Sequence, residues 1–164
     1  MSELATPLAK KRPEFRNINA FTDLPTYRLP AAGIVSILHR VSGALMFLLM
    51  PFIIWMFDTS ISSEISFAKF KALFNIGTTF DFSLSLFRSV VQFSIPFPGW
   101  MVKLVALALI WAYLHHSIAG LRHLWSDTHH SAVTKEFGKT SAVVTLGLSV
   151  FLTLVLGAKL FGVY

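Results

Sequence analysis

The chain has 164 residues, 54% of them hydrophobic and 13% charged, a balance too apolar for a water-soluble domain, so the excess apolar surface calls for lipid. Its formal charge of +6 comes from basic residues gathered at the ends of apolar runs rather than along one solvated face, which argues against a nucleic-acid partner and for a membrane-orientation signal. With no cysteine, a disulfide, a thiolate zinc site, an iron–sulfur cluster and a covalently attached haem are all excluded, and any metal must be held by histidine or carboxylate.

Residues 1–29 are polar and punctuated by Pro7, Pro13 and Pro25, the pattern of an extended arm outside the membrane. Lys10, Lys11 and Arg12 stand well apart from the first apolar run, and no small-residue cleavage site follows it, so no removable signal peptide is expected. Pro30 opens a helix where its missing N–H does no harm. Residues 30–57 are then apolar apart from Ser36, His39, Arg40 and Ser42, giving roughly 40 Å of helix, enough for a first span.

The segment 58–98 follows. Within it Phe67, Phe70, Leu73 and Phe74 recur at helical spacing beside Lys69 and Lys71, which suits a helix lying in the membrane interface. Phe80, Phe82, Leu84 and Leu86 alternate as in a strand, and the conformation there stays open. The second span covers 99–125. Its unbroken apolar part, 104–114, is too short to cross a bilayer alone, so His115 and His116 must lie in or close to the hydrocarbon. A loop at 126–141 leads to the third span, 142–163, with small residues Gly147, Ser149, Gly157 and Ala158 suited to close helix approach and Lys159 able to reach the surface. The fold expected is all-α, an integral membrane protein with three transmembrane helices.

Basic residues set the orientation. Lys10, Lys11, Arg12, Arg16, Arg28 and Arg40 flank the start of span one, and Arg122, Lys135 and Lys139 follow span two, against only Lys69, Lys71 and Arg88 in 58–98. The N-terminus and the 126–141 loop are therefore expected in the cytoplasm and 58–98 in the periplasm, which brings His39, Arg40, Arg122 and His123 to one membrane face.

An ionisable residue at the bilayer centre costs about 2.5 to 3.5 kcal/mol, so each marks a candidate site. His116 suits an axial ligand of a b-type haem, with a second histidine from the opposite side. His123 lies two turns further on, about 10 Å nearer the cytoplasm on the same face. One of the two would bind iron while the other meets a propionate. By spacing alone the bland reading, an interhelical hydrogen bond, stands beside this one, and His115 competes with His116. Asp127, His129 and His130 have metal-binding side chains, but loop histidines without cysteine are usually solvated. Ser36 and Arg40 share a helical face near the cytoplasmic surface. There a hydroxyl and a guanidinium suit the carbonyl oxygens of a quinone, and Arg40 brings positive charge for a propionate; the plainer reading is that Arg40 snorkels as part of the orientation signal.

The run Ser36-Ile-Leu-His-Arg-Val-Ser-Gly43, preceded by Arg12-Pro13 and by Tyr27-Arg28-Leu29-Pro30, resembles the first-span signature of the cytochrome b subunit of succinate dehydrogenase, respiratory complex II. His116-Ser-Ile-Ala-Gly120-Leu-Arg122-His123-Leu-Trp-Ser-Asp127 resembles that family's second signature, and the likeness extends over nearly the whole chain, including Lys139-Thr140-Ser141 before span three. The resemblance implies a haem-sandwiching helical bundle completed by a second membrane anchor subunit, with His116 as axial ligand and the partner supplying the other. It implies His39, Arg40 and His123 near the propionates, Ser36 and Arg40 at the quinone site, and His115 as a neighbour pointing elsewhere. It implies haem b as cofactor and ubiquinone or menaquinone as substrate. A flavoprotein and an iron–sulfur subunit would deliver the electrons, so the chain would be a non-flavin subunit of a succinate:quinone oxidoreductase in a bacterial inner membrane. Two features depart from the family pattern: 58–98 is longer than in compact bacterial relatives, and His115 stands where an aromatic residue is expected. Alternative readings are the anchor of a fumarate reductase, or a non-redox scaffold or transporter whose polar residues line a path.

Overall fold

A computed structural model of the chain describes residues 17, 19, 21–23, 26–86, 89–130 and 133–164. Pro7, Lys10, Lys11, Arg12, Pro13, Arg16, Pro25 and Arg88, which enter the readings above, lie outside the described residues.

Pro30, at φ −66° and ψ 154°, stands immediately before helix α1 (Ala31–Leu48), and its carbonyl accepts from the N–H of Gly33 and Ile34 at 2.8 and 3.1 Å. The apolar run expected as one helix through residue 57 breaks at Leu49 (φ −92°, ψ 6°) and resumes as α2 (Met50–Ile61). Pro51 supplies the cause: it has no N–H to give Phe47, and its ring crowds that carbonyl. The stretch with interfacial spacing is α3 (Glu64–Asn75), opened by a capping box in which Ser63 Oγ accepts from Ser66 N at 3.1 Å and Ser63 N donates to Ser66 Oγ at 2.9 Å.

The alternation at 80–86 becomes β1 (Gly77–Leu86), paired antiparallel with β2 (Ser89–Pro98) in a two-stranded ribbon. This is the one β element among the described residues of a chain expected to be wholly helical, and the open question about 58–98 resolves as helix followed by hairpin. Register puts Phe80, Phe82 and Leu84 opposite Ile95, Phe93 and Val91 on one face, and Asp81 and Ser83 opposite Ser94 and Gln92 on the other. The ribbon is rooted by two glycines. Gly77 takes φ +102°, and a Cβ on Gly99 would run into the backbone of Phe74.

Helices α4 (Gly99–Thr128) and α5 (Lys135–Leu160) follow, and α1, α4 and α5 are each long and apolar enough to cross a membrane. α4 continues past the expected end at residue 125. α5 begins before the expected residue 142, started by Thr134, whose hydroxyl accepts from Phe137 N at 3.1 Å. The three helices pack on one another around Val35, Ala119 and Ala142. Small residues face inward, with Ala142, Thr145, Ser149, Thr153 and Gly157 all buried on α5, whereas Phe151, Leu154 and Leu156 point out. A Cβ on Gly157 would stand 2.8 Å from Leu107 Cδ1, so α4 and α5 meet at backbone distance. This inversion fits lipid, where apolar side chains gain nothing by hiding from the solvent and helices associate through close packing and hydrogen bonds.

Candidate functional site

Nearly one turn beyond Ser36, α1 presents His39, Ser42 and Gly43 to α4, and α4 answers with His116, Gly120 and His123. The ring of His39 stacks on His116 with centroids 4.1 Å apart and planes 16° apart, and His123 tilts against His39 at 5.2 Å. The contact leaves no room for a side chain on α1, whereas on α4 one would meet only ordinary van der Waals contact. A Cβ on Gly43 would stand 2.9 Å from His116 Cε1, and one on Gly120 would come within 3.7 Å of His39 Nε2.

Hydrogen bonds fix the His116 ring. Its Nδ1 lies 3.0 Å from the backbone carbonyl of His39, and a carbonyl can only accept, so Nδ1 carries the proton. Ser42, fully buried, donates to the same carbonyl at 2.9 Å and lies 3.4 Å from His116 Nδ1. The lone pair is thereby left on Nε2, which takes part in none of the described hydrogen bonds. This is the arrangement of a metal-ligating histidine, oriented by a carbonyl on its far nitrogen. Among the described residues no group of three or more His, Cys, Asp or Glu is placed to hold a metal ion. The buried Nε2 of His39, without a hydrogen-bond partner, adds an unused polar atom at the same place.

His115 faces the other way. It is fully buried, stacks on Trp111 at 5.5 Å, and its Nδ1 lies 3.2 Å from Ser149 Oγ on α5. The Ser149 hydroxyl donates to the Leu146 carbonyl at 3.0 Å, so His115 Nδ1–H is the donor in that pair and its Nε2 is left buried without a partner. A side chain with no exposed surface leaves no room beside it for a porphyrin, whereas His116 is only partly buried.

Arg122, the residue before His123, ties α4 to α5 through Nε to Ser141 Oγ at 2.9 Å and a second contact to the Gly138 carbonyl at 3.4 Å. Ser36 is half-buried and Arg40 exposed on the outer side of α1. Nearby lies a cavity of about 750 Å³ between Pro30, Ala32, Lys135 and Lys139, but neither Ser36 nor Arg40 lines it. His129 stacks on Trp125 at 4.0 Å, and among the described residues no metal-binding group gathers around it, Asp127 and His130. The sequence shows Ser42 as a polar residue of span one, Gly43 within a motif and Ser149 as a small residue, without the part each plays at the histidines. Only the polarity of the two serines and the place of Gly43 within a motif were there to find them.

A family profile described as succinate dehydrogenase/fumarate reductase transmembrane subunit matches residues 10–156. A succinate dehydrogenase cytochrome b556 subunit of Paracoccus denitrificans is 27% identical over 133 residues, covering 81% of this chain and 85% of that protein. A protein of the same description from Coxiella burnetii is 30% identical over 105 residues, covering 64% of this chain and 66% of that protein.

Proposed function

Because the chain belongs to the succinate dehydrogenase/fumarate reductase transmembrane subunit family, with cytochrome b anchors of complex II as its relatives, we propose that it holds a b-type haem through His116 and helps to form a quinone site with Ser36 and Arg40. It is a multi-pass membrane subunit of an enzyme complex. In the proposed arrangement the cofactor is shared with a second anchor subunit that supplies the other axial histidine, and a flavoprotein and an iron–sulfur subunit dock on the cytoplasmic face of a bacterial inner membrane. The N-terminal arm and the connection between α4 and α5 lie on that face, and α3 with the hairpin on the periplasmic one.

The observation that carries the reading is the hydrogen bond from His116 Nδ1–H to the His39 carbonyl, 3.0 Å long, which leaves Nε2 as a free donor to iron. His39, stacked on that ring, and His123, tilted against His39, would donate to the propionates, and Arg40 would supply their counter-charge. A bound haem supplies a one-electron acceptor tuned by its ligands and its burial. The residues of this chain do the rest. Gly43 gives the His116 ring its room, and Ser42 and the His39 carbonyl hold that ring in one tautomer. Ser36 offers a hydroxyl, and Arg40 a charged fork, to the carbonyl oxygens of a quinone whose tail lies in lipid. That both stand on the outer side of α1 agrees with a site closed by neighbouring subunits.

The test is the reduced-minus-oxidised visible spectrum of the assembled complex. His116→Ala removes the b-type bands, whereas His115→Ala, whose ring is turned to α5, keeps them. Bands that survive the first change and vanish with the second would transfer the ligand to His115.

A further inference from the structure

At the end of the bundle away from the histidines lies a second cavity, of about 680 Å³, between α2, α3, the hairpin and the start of α4. Phe52 and Trp55 of α2, Leu73 of α3 and Phe80 and Phe97 of the hairpin give it apolar walls, and Lys69 of α3 stands at its rim. Val102, which lines it from α4, lies fourteen residues before His116, so the cavity is about 21 Å from the histidine cluster along the helix. It shares no residue with the site already described.

Three features select its occupant. The size falls in the range of small-molecule sites, and walls of aromatic and aliphatic side chains favour a hydrocarbon over water. The cavity lies at the level of Trp55 and Trp100, side chains that mark the boundary between hydrocarbon and headgroups, so bilayer lipid is the apolar material at hand. Lys69 makes no ion pair among the described residues, and an ammonium at that depth attracts an anion. Thr59 has already given its hydroxyl proton to the Trp55 carbonyl, at 2.7 Å, and Lys69 is the one cation among the residues that line the cavity, so charge selects the headgroup. We propose that this cavity seats an acyl chain of one anionic phospholipid, with the phosphate on the Lys69 ammonium. The hairpin is then a wall of the lipid site, with Phe80 and Phe97 meeting edge to face at 5.9 Å across from Trp55.

Native mass spectrometry of the purified, delipidated complex tests this, with phosphatidylglycerol and phosphatidylcholine added back separately. The wild type retains one phosphatidylglycerol more per copy of this chain than Ala72→Trp, in which an indole fills the cavity from α3. Lys69→Gln lowers phosphatidylglycerol occupancy about fivefold, Lys69→Arg keeps it, and phosphatidylcholine binding responds to neither. Should Ala72→Trp fail to assemble, the Lys69 pair decides alone. Equal retention of phosphatidylglycerol by the wild type and Lys69→Gln, equal affinity for the two lipids, or co-purified quinone in place of lipid would each overturn the proposal. The b-type bands are expected unchanged in every Lys69 variant, so failure here leaves the haem assignment standing.

Discussion

Where α1 meets α4, three imidazoles, a buried serine and two glycines pack so closely that one added carbon at Gly43 would stand 2.9 Å from a histidine ring; where α2, α3 and the hairpin meet the start of α4, no residue of α2 or α3 is buried at all. One end spends its interior on polar groups held in fixed geometry. The other encloses space between aromatic side chains. Electron transfer needs a metal ligand fixed to within fractions of an ångström, and that demands over-determined contacts. A hydrocarbon chain has many conformations and few directional needs, so a loosely walled cavity suffices. Tolerance to substitution should divide along the same line.

Arg40→Ala should have the largest effect on function. Losing charge-assisted hydrogen bonds worth about 1.5 to 3 kcal/mol lowers quinone reduction tenfold or more, while reduction of a soluble dye by the catalytic subunits survives. Equal loss of both activities would assign Arg40 to assembly instead. Gly43→Val comes next: overpacking against the His116 ring costs about 1 to 3 kcal/mol and appears as a diminished or shifted b-type band in the assembled complex, and a normal band would contradict the close approach. At the other end, Phe82→Ser removes half of a cross-strand stack with Phe93 whose centroids are 5.3 Å apart. The expected loss is under about 1 kcal/mol of thermal stability, with the spectrum and the quinone activity of the wild type. A spectral change in that variant would mean that the two ends are coupled.

Much of the histidine end was legible in the sequence because intramembrane polar residues are rare and their spacing on a helix is geometry. His39, Arg40, Arg122 and His123 could be brought to one membrane face from their positions and the charge pattern, with His116 and His123 on one face of a helix. What could not be read was which groups would hold them. Ser42 matters through a carbonyl that α4 approaches from 77 residues away, from His116, and His115 through a serine on α5; neither contact has a local signature. The break at Leu49 was there to be read in Pro51, but in an apolar run length outweighs a single proline. The alternation of Phe80, Phe82 and Leu84 suggested a strand and gave no partner, since pairing with Val91, Phe93 and Ile95 depends on a reversal of the chain between them.

The account turns on the Nε2 atom of His116 as donor to iron. Replacing His116 by glycine removes the imidazole and leaves space for a free one. The complex purified from cells is predicted to lack the reduced b-type bands, and to regain them when the cells are grown, or the purified complex is loaded with haem, in the presence of imidazole. Full b-type bands in His116→Gly without added imidazole would show that the iron takes its ligand elsewhere and would contradict the assignment.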